Sequence, residues 1–526
     1  MPSDNPHQDP SMDEENEQDM VTVDEVAEEI AADSDVDMSE PDDDDNEEIQ
    51  LVNDSIAYFD SHKDSIFAIA QHPTNPNIIA TGGSEGDADD APGKGYLFVI
   101  PDEVGQKKDG PVLPPAWAAD ASAAEKELRS QQENVQIQPA FPIDGHTDSI
   151  NALAFTLPNG EFLVSGGLDG RLRAYKLDAS APSFSFVGES QEVQEINWLA
   201  PCPSTDFPNS VALGASDGSV WVYTVDPSDP ANPLQIVQTY FLHTVPCTAG
   251  AWTPDGTLLV TVDEDSSLYV WDVWGLAAAK GLVGDNGQTV VSLTAQDQRF
   301  NVEGGLFSVA VEPRGGYLAA GGAAGSIRIV SLPRITEQTA GASGQAGSKA
   351  GKAKGKALGK AAGGETQGGQ VLAALQVQSD SIETLSFAPA SAPIPLLAAG
   401  SVDGSITVFD PSRQFNIRRN IPGAHEEFSV VKVEWVRQPQ SSGSAAAQQQ
   451  WLLTSCGMDG VVRRWNLQGA TPSQHVANAA VAGLEKEWRG HRGDGEGGGV
   501  LGFVQGADGS RIVTAGDDGV SLVFQV

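Results

Sequence analysis

Leu163-Val-Ser-Gly-Gly-Leu-Asp-Gly-Arg-Leu-Arg-Ala-Tyr175 is the stretch that decides the fold. A short apolar strand enters a glycine-rich turn carrying an aspartate, and a second strand ends on an aromatic. The phrase returns as Leu259-Val-Thr-Val-Asp-Glu-Asp-Ser-Ser-Leu-Tyr-Val-Trp271 and as Leu453-Thr-Ser-Cys-Gly-Met-Asp-Gly-Val-Val-Arg-Arg-Trp465. Eight units of this kind follow one another, with outer strands starting near Ile56, Phe141, Phe184, Ile236, Val290, Val371, Phe415 and Leu484. β-Branched and aromatic runs bounded by Gly, Asp and Ser predict strands. Each unit reads as an outer strand, a loop, strand a, strand b, the Asp turn and strand c. A sheet of this size has two faces to cover, and packing its neighbours radially covers both. The expected fold is all-β, an eight-bladed β-propeller.

The ring must also close. The chain ends on a c strand, Ser521-Leu-Val-Phe-Gln-Val526, and starts on an outer strand with no blade of its own, Ile56-Ala-Tyr-Phe59. Pairing the two completes the eighth blade.

Net charge is −43, and it is uneven. Residues 1–54 hold 22 Asp or Glu and no Lys or Arg, so the remaining 51 acids face 30 bases, a net of −21. A segment so acidic and so poor in aromatics cannot bury a core. Residues 1–54 are therefore expected to be a disordered acidic tail, and 55–526 the propeller. A folded part that is itself negative repels nucleic-acid phosphates and anionic lipid, and attracts a basic partner. The expected partner list contains neither direct nucleic acid nor a membrane. No apolar run reaches the ~18 residues that span a bilayer, and no secretory signal is visible. Cys202, Cys247 and Cys456 lie far apart. That spacing excludes a disulfide framework and a zinc knuckle.

Four units repeat a His, a Ser or Thr, an Asp and an aromatic at matched spacing. They are His146, Ser165, Asp169, Tyr175; His243, Thr261, Asp265, Trp271; His425, Ser455, Asp459, Trp465; and His491, Thr514, Asp518, Phe524. A catalytic triad occurs once per site, whereas this set recurs once per blade. It is read as a buried polar chain in which each member satisfies the next. No cofactor, metal or catalytic residue is assigned, and no phosphate-binding glycine loop is present.

Long insertions fall at Pro101–Pro139, Pro333–Gln370 and Arg437–Gln450, with a shorter one near Pro201–Asn209. All lie in a-to-b or c-to-outer connections, at one end of the disc. Residues 333–370 read as a flexible Gly/Ala/Lys linker, and Ala118–Asn134 is compatible with a helix. The opposite end has short loops that collect carboxylates. Candidate partner-binding residues there are Asp64, Asp148, Glu192, Asp263, Glu264, Asp380, Glu426, Glu427, Asp494, Glu496 and Asp517. Only the Ser84–Gly95 turn departs from the short pattern, and it is acidic on balance, with Glu85, Asp87, Asp89 and Asp90. A ring of carboxylates favours Arg and Lys side chains.

The dipeptides Gly145-His146 and Trp271-Asp272 match the signature of WD40 repeats. The run Asn53-Asp-Ser-Ile-Ala-Tyr-Phe-Asp-Ser-His-Lys-Asp-Ser-Ile-Phe-Ala-Ile-Ala-Gln-His-Pro73, after an acidic tail, resembles the fungal WD-repeat ribosome-assembly chaperones of the large subunit. That family is related to the angio-associated migratory cell protein. The resemblance implies an eight-bladed WD40 propeller that captures the basic N-terminal segment of a newly made large-subunit ribosomal protein. Such a chaperone delivers its client to the pre-60S particle in the cytoplasm, and the lysine-rich insertion leaves a nuclear address open. A general scaffold or substrate-receptor function is the alternative. A closed ring with no spare edge suggests a monomer.

Overall fold

The structure, a computed structural model, describes residues 53–86, 91–104, 135–178, 183–335, 368–437, 451–468, 483–492, 498–506 and 508–526. Residues 1–52, the expected helix at 118–134, most of the 333–370 and 437–450 insertions, Asp87, Asp89, Asp90, Asp494 and Glu496 lie outside the described residues.

The alternating strand patterns form eight sheets, seven of four strands and one of five. The inner strands are Ile66–Gln71, Ile150–Phe155, Ile196–Pro201, Cys247–Trp252, Leu306–Val311, Ile382–Phe387, Val430–Trp435 and Val500–Val504. Each touches the next, and the last touches the first, so the ring is closed. The fold is the expected eight-bladed propeller. Between blades the pattern places wholly buried residues, among them Val164 with Val211 in one cluster and Ile329 with Leu397 in another. Each such side chain contributes about 1.5–3 kcal/mol. Trp271, Trp465 and Trp488 are the largest side chains fully enclosed.

The closing strand is where the sequence places it. Ala57–Phe59 runs antiparallel to Ser521–Gln525, with Ala57 opposite Val523 and Phe59 opposite Ser521. One feature differs from the expectation. Val135–Gln136, read as part of an insertion, adds in parallel on the far side of Ala57–Phe59. The closing strand is therefore internal to a five-stranded sheet. Phe59 packs with Phe98, Val104, Ile137 and Val523 in one cluster, and stacks on Phe98 at 4.5 Å between ring centroids. Arg511 Nη2 donates to the Val104 carbonyl at 3.1 Å and Nη1 to Asn77 Oδ1 at 2.7 Å.

In every blade the a–b pairing slips register just after the first residue of the inner strand. Such a bulge re-aims one side chain and sharpens the twist. Here it sets one extra residue per blade at the end of the channel where the outer-to-inner loops arrive. The b–c turns reach the same end because each blade is an antiparallel meander. Gly170 (φ 72°) makes one of these turns, and a Cβ there would meet the Val193 carbonyl at 2.0 Å. Positive φ and close approach both demand glycine. The long connections 100–138, 332–370, 436–451 and 467–483 all leave from the opposite end.

Candidate functional site

The polar chains come first, because they decide which carboxylates remain for other use. His146 Nδ1 lies 3.0 Å from Asp169 Oδ1 and its Nε2 lies 2.8 Å from Ser165 Oγ. A carboxylate can only accept, so Nδ1–H donates to Asp169 and Nε2 accepts from the Ser165 hydroxyl. Asp169 also accepts from the backbone N–H groups of Thr147 and Arg171. Burial pushes its carboxyl up, and these hydrogen bonds, His146 foremost, bring it below the usual carboxylate range. His425 with Ser455 and Asp459, and His491 with Thr514 and Asp518, repeat the arrangement. Trp465 Nε1 donates to Ser455 and Trp271 Nε1 to Thr261. Tyr175 ends its chain differently, donating to the Asp144 carbonyl at 3.2 Å.

The fourth blade corrects the assignment. The carboxylate on His243 is Asp263, at 2.9 Å from Nδ1, and not Asp265. Asp263 is 1% exposed and also accepts from the Ser267 hydroxyl and backbone N–H. It is therefore withdrawn from the partner-binding set, and Asp265, which is exposed, is withdrawn from the structural set. The cause is steric. In the second, seventh and eighth blades a glycine ends strand b, and a Cβ at Gly167, Gly457 or Gly516 would come within 2.7 Å of the histidine ring. In the fourth blade Asp263 holds that position and reaches the imidazole directly.

Two more blades carry variants that the spacing does not reveal. His62 Nε2 lies 2.9 Å from Thr81 Oγ1, but its buried Nδ1 has no hydrogen-bond partner. Glu85 stands at the Asp position and pairs instead with Lys63 at 2.6 Å. In the sixth blade Gln378 takes the histidine's place, donating to the Ser405 carbonyl at 2.9 Å.

The remaining carboxylates lie at the short-loop end, as expected. Glu192, Glu264, Asp380, Glu426 and Glu427 are exposed; Asp64, Asp148 and Asp517 are half-buried. Asp148 and Asp380 each accept from the following backbone N–H, of Ser149 and Ser381. Asp517 accepts from the Ser65 hydroxyl at 2.6 Å, tying the eighth blade's turn to the first blade's loop. Exposed Glu195, Asp265, Glu303 and Glu383 belong to the same end and were missed. Glu383 is the extra residue of the sixth blade's bulge. Partial desolvation and the neighbouring Asp380 hold its carboxyl above the usual range. Several cations here are engaged: Lys94 meets Asp144, Arg173 meets Glu189, Arg299 meets Asp297 and Arg463 meets Asp459.

Comparison with known proteins agrees with this architecture. The WD domain, G-beta repeat, matches residues 137–176 and 234–272. The crystal structure of Chaetomium thermophilum Sqt1 bound to the N-terminus of the ribosomal protein L10 is 56% identical, with a TM-score of 0.72. The match covers 90% of this chain and all of that one. The ribosome assembly protein SQT1 of Saccharomyces cerevisiae is 25% identical over 514 residues, 92% of this chain and 90% of its own length. The human angio-associated migratory cell protein is 22% identical over 386 residues, 73% of this chain and 70% of its own length.

Proposed function

We propose, from the premise that this chain belongs to the Sqt1 family of ribosome assembly proteins, that it is a dedicated chaperone for a large-subunit ribosomal protein. The observation that carries the reading is the relative at 56% identity bound to the N-terminus of L10. The chain's short-loop end captures the basic N-terminal segment of its client and passes it to the pre-60S particle. Glu192, Glu264, Asp380, Glu426 and Glu427, with Asp64, Asp148 and Asp517, are the proposed contacts, and Asp265 joins them in place of Asp263.

The chemistry supports this reading. An Arg- and Lys-rich segment left free would attach to any RNA it met. Carboxylates pair with guanidinium groups bidentately, yet each exposed pair contributes only about 0–1 kcal/mol. Useful affinity therefore requires many pairs at once. It also fixes how release works, because rRNA phosphates compete for the same cations. The protein works without catalysis, as a monomer in the cytoplasm.

The test is capture of L10 from cytosol at low and moderate salt. Reversing Asp380, Glu426 and Glu427 to Lys should abolish recovery, most completely at the higher salt. Unchanged recovery would move the assignment to a general scaffold that binds on another surface.

A further inference from the structure

The bulge residues at the channel mouth differ from blade to blade; that of the seventh, Val431, packs against a cluster between blades. In three adjacent blades the extra residue is polar and stitched to its neighbour. Asn151 Nδ2 donates to the Ile196 carbonyl at 2.6 Å, Asn197 Nδ2 to Cys247 at 3.1 Å, and Thr248 Oγ1 to Leu306 at 2.7 Å. In each case the acceptor is the first residue of the next inner strand. The fifth blade makes the same stitch with the following residue, Ser308 Oγ to Ile382 at 2.7 Å. That frees its bulge residue, Phe307. Phe67 in the first blade and Leu501 in the eighth hold the same bulge position.

Phe67, Phe307 and Leu501 belong to none of the apolar clusters between blades. Phe67 is 42% exposed. Packing in those clusters does not explain large apolar side chains at three bulges whose counterparts in the second to fourth blades are amides and a hydroxyl. Phe67 and Phe307 face each other from blades half a turn apart around the ring; the blade of Leu501 is next to that of Phe67, and the blade of Glu383 next to that of Phe307. Apolar groups set among carboxylates suit a ligand that carries both characters.

We infer that Phe67, Phe307 and Leu501 form an apolar subsite at the channel mouth that seats a bulky aliphatic or aromatic residue of the captured segment, while Glu383 pairs with a cation beside it. The inference rests on the proposed chaperone function and adds the feature that tells one basic segment from another. Charge alone accepts any polycation; a seat for one large side chain between cations does not.

The experiment is titration of the full chain with a synthetic L10 N-terminal segment at two salt concentrations. A second peptide keeps every Arg and Lys and replaces all aromatic and aliphatic side chains by Ser. Phe67→Ser with Phe307→Ser should weaken the first peptide about 10- to 100-fold, as expected for losing one buried large side chain. The salt dependence should stay that of the wild type, since no charge is removed. The second peptide should bind the wild type as weakly as the variant binds the first, and should not distinguish the two proteins. Equal affinity of wild type and variant for the first peptide would overturn the subsite and leave the chaperone reading standing. Failure of the wild type to bind that peptide at all would overturn both. Self-association of the wild type that disappears in Phe67→Ser would also overturn it, by assigning the ring to a second copy of the chain. Melting temperatures of the variants should match the wild type, because neither ring is part of a core cluster.

Discussion

Asp263 Oδ2 lies 2.9 Å from His243 Nδ1, while Asp265, two residues along the same turn, stands in solvent. The two carboxylates should therefore respond oppositely to removal. Asp263→Ala leaves the buried Ser267 hydroxyl and backbone N–H without their acceptor, and His243 Nδ1 with only the Ser267 oxygen, and should cost about 1–3 kcal/mol. Asp265→Ala should change stability by less than about 0.5 kcal/mol. Urea denaturation of the two variants checks this, and the reverse order would restore the assignment first made from spacing.

Deleting residues 55–60 should abolish cooperative folding, whereas deleting 1–50 should leave the melting temperature unchanged. The short deletion removes Ala57 and Phe59, both 0% exposed, together with their pairing to the last strand. Loss of a buried Phe side chain alone costs about 3–5 kcal/mol, a large part of a domain's typical ~5–15 kcal/mol. Calorimetry on the two truncations separates the outcomes.

His62 should make the fold acid-sensitive. Its buried Nδ1 has no carboxylate partner, and burial, then the Lys94 charge, lower its pKa from 6.5 to about 4. Below pH 6.5 the unfolded chain takes up a proton that the folded chain refuses until about pH 4. Stability is thus full above pH 6.5 and declines as pH falls toward 4, by on the order of 3 kcal/mol. His62→Gln should remove that part of the decline. Chemical denaturation at pH 7 and pH 4.5 measures it, and equal pH dependence in both proteins would show that His62 does not carry the effect.

Reversing Glu426 and Glu427 to Lys should leave stability within about 0.5 kcal/mol per site, since both are exposed and neither serves a polar chain. Reversing Asp459 is a different matter. Burial opposes its charge, but the His425 hydrogen bond and the charges of His425 and Arg463 bring its carboxyl down to about 2. Asp459→Lys should unfold the seventh blade. Circular dichroism melts of the two variants distinguish an exposed carboxylate from a structural one.

Much of this architecture was legible in the sequence. The blade period, the closing strand and the end from which long connections leave all follow from strand alternation and turn chemistry, and these act locally. What stayed hidden depends on space. The partner of His243 could not be chosen by counting residues, because the contact is decided by which backbone position leaves room beside the imidazole. The missing glycine at position 263 was the available signal. Val135–Gln136 is two residues long and exposed, with no pattern to mark it as a strand. Glu383, Phe67 and Phe307 acquire their places only through the bulges, which shift register without any composition of their own.

The pairing of Ala57 with Val523 also bears on how the protein is made. Its partners lie far apart in the sequence, so the circle cannot shut until the strand Ser521–Gln525 has been made. Closing so long a loop makes its chain-entropy demand late. The ring that presents the proposed contacts is therefore complete only once its last strand exists.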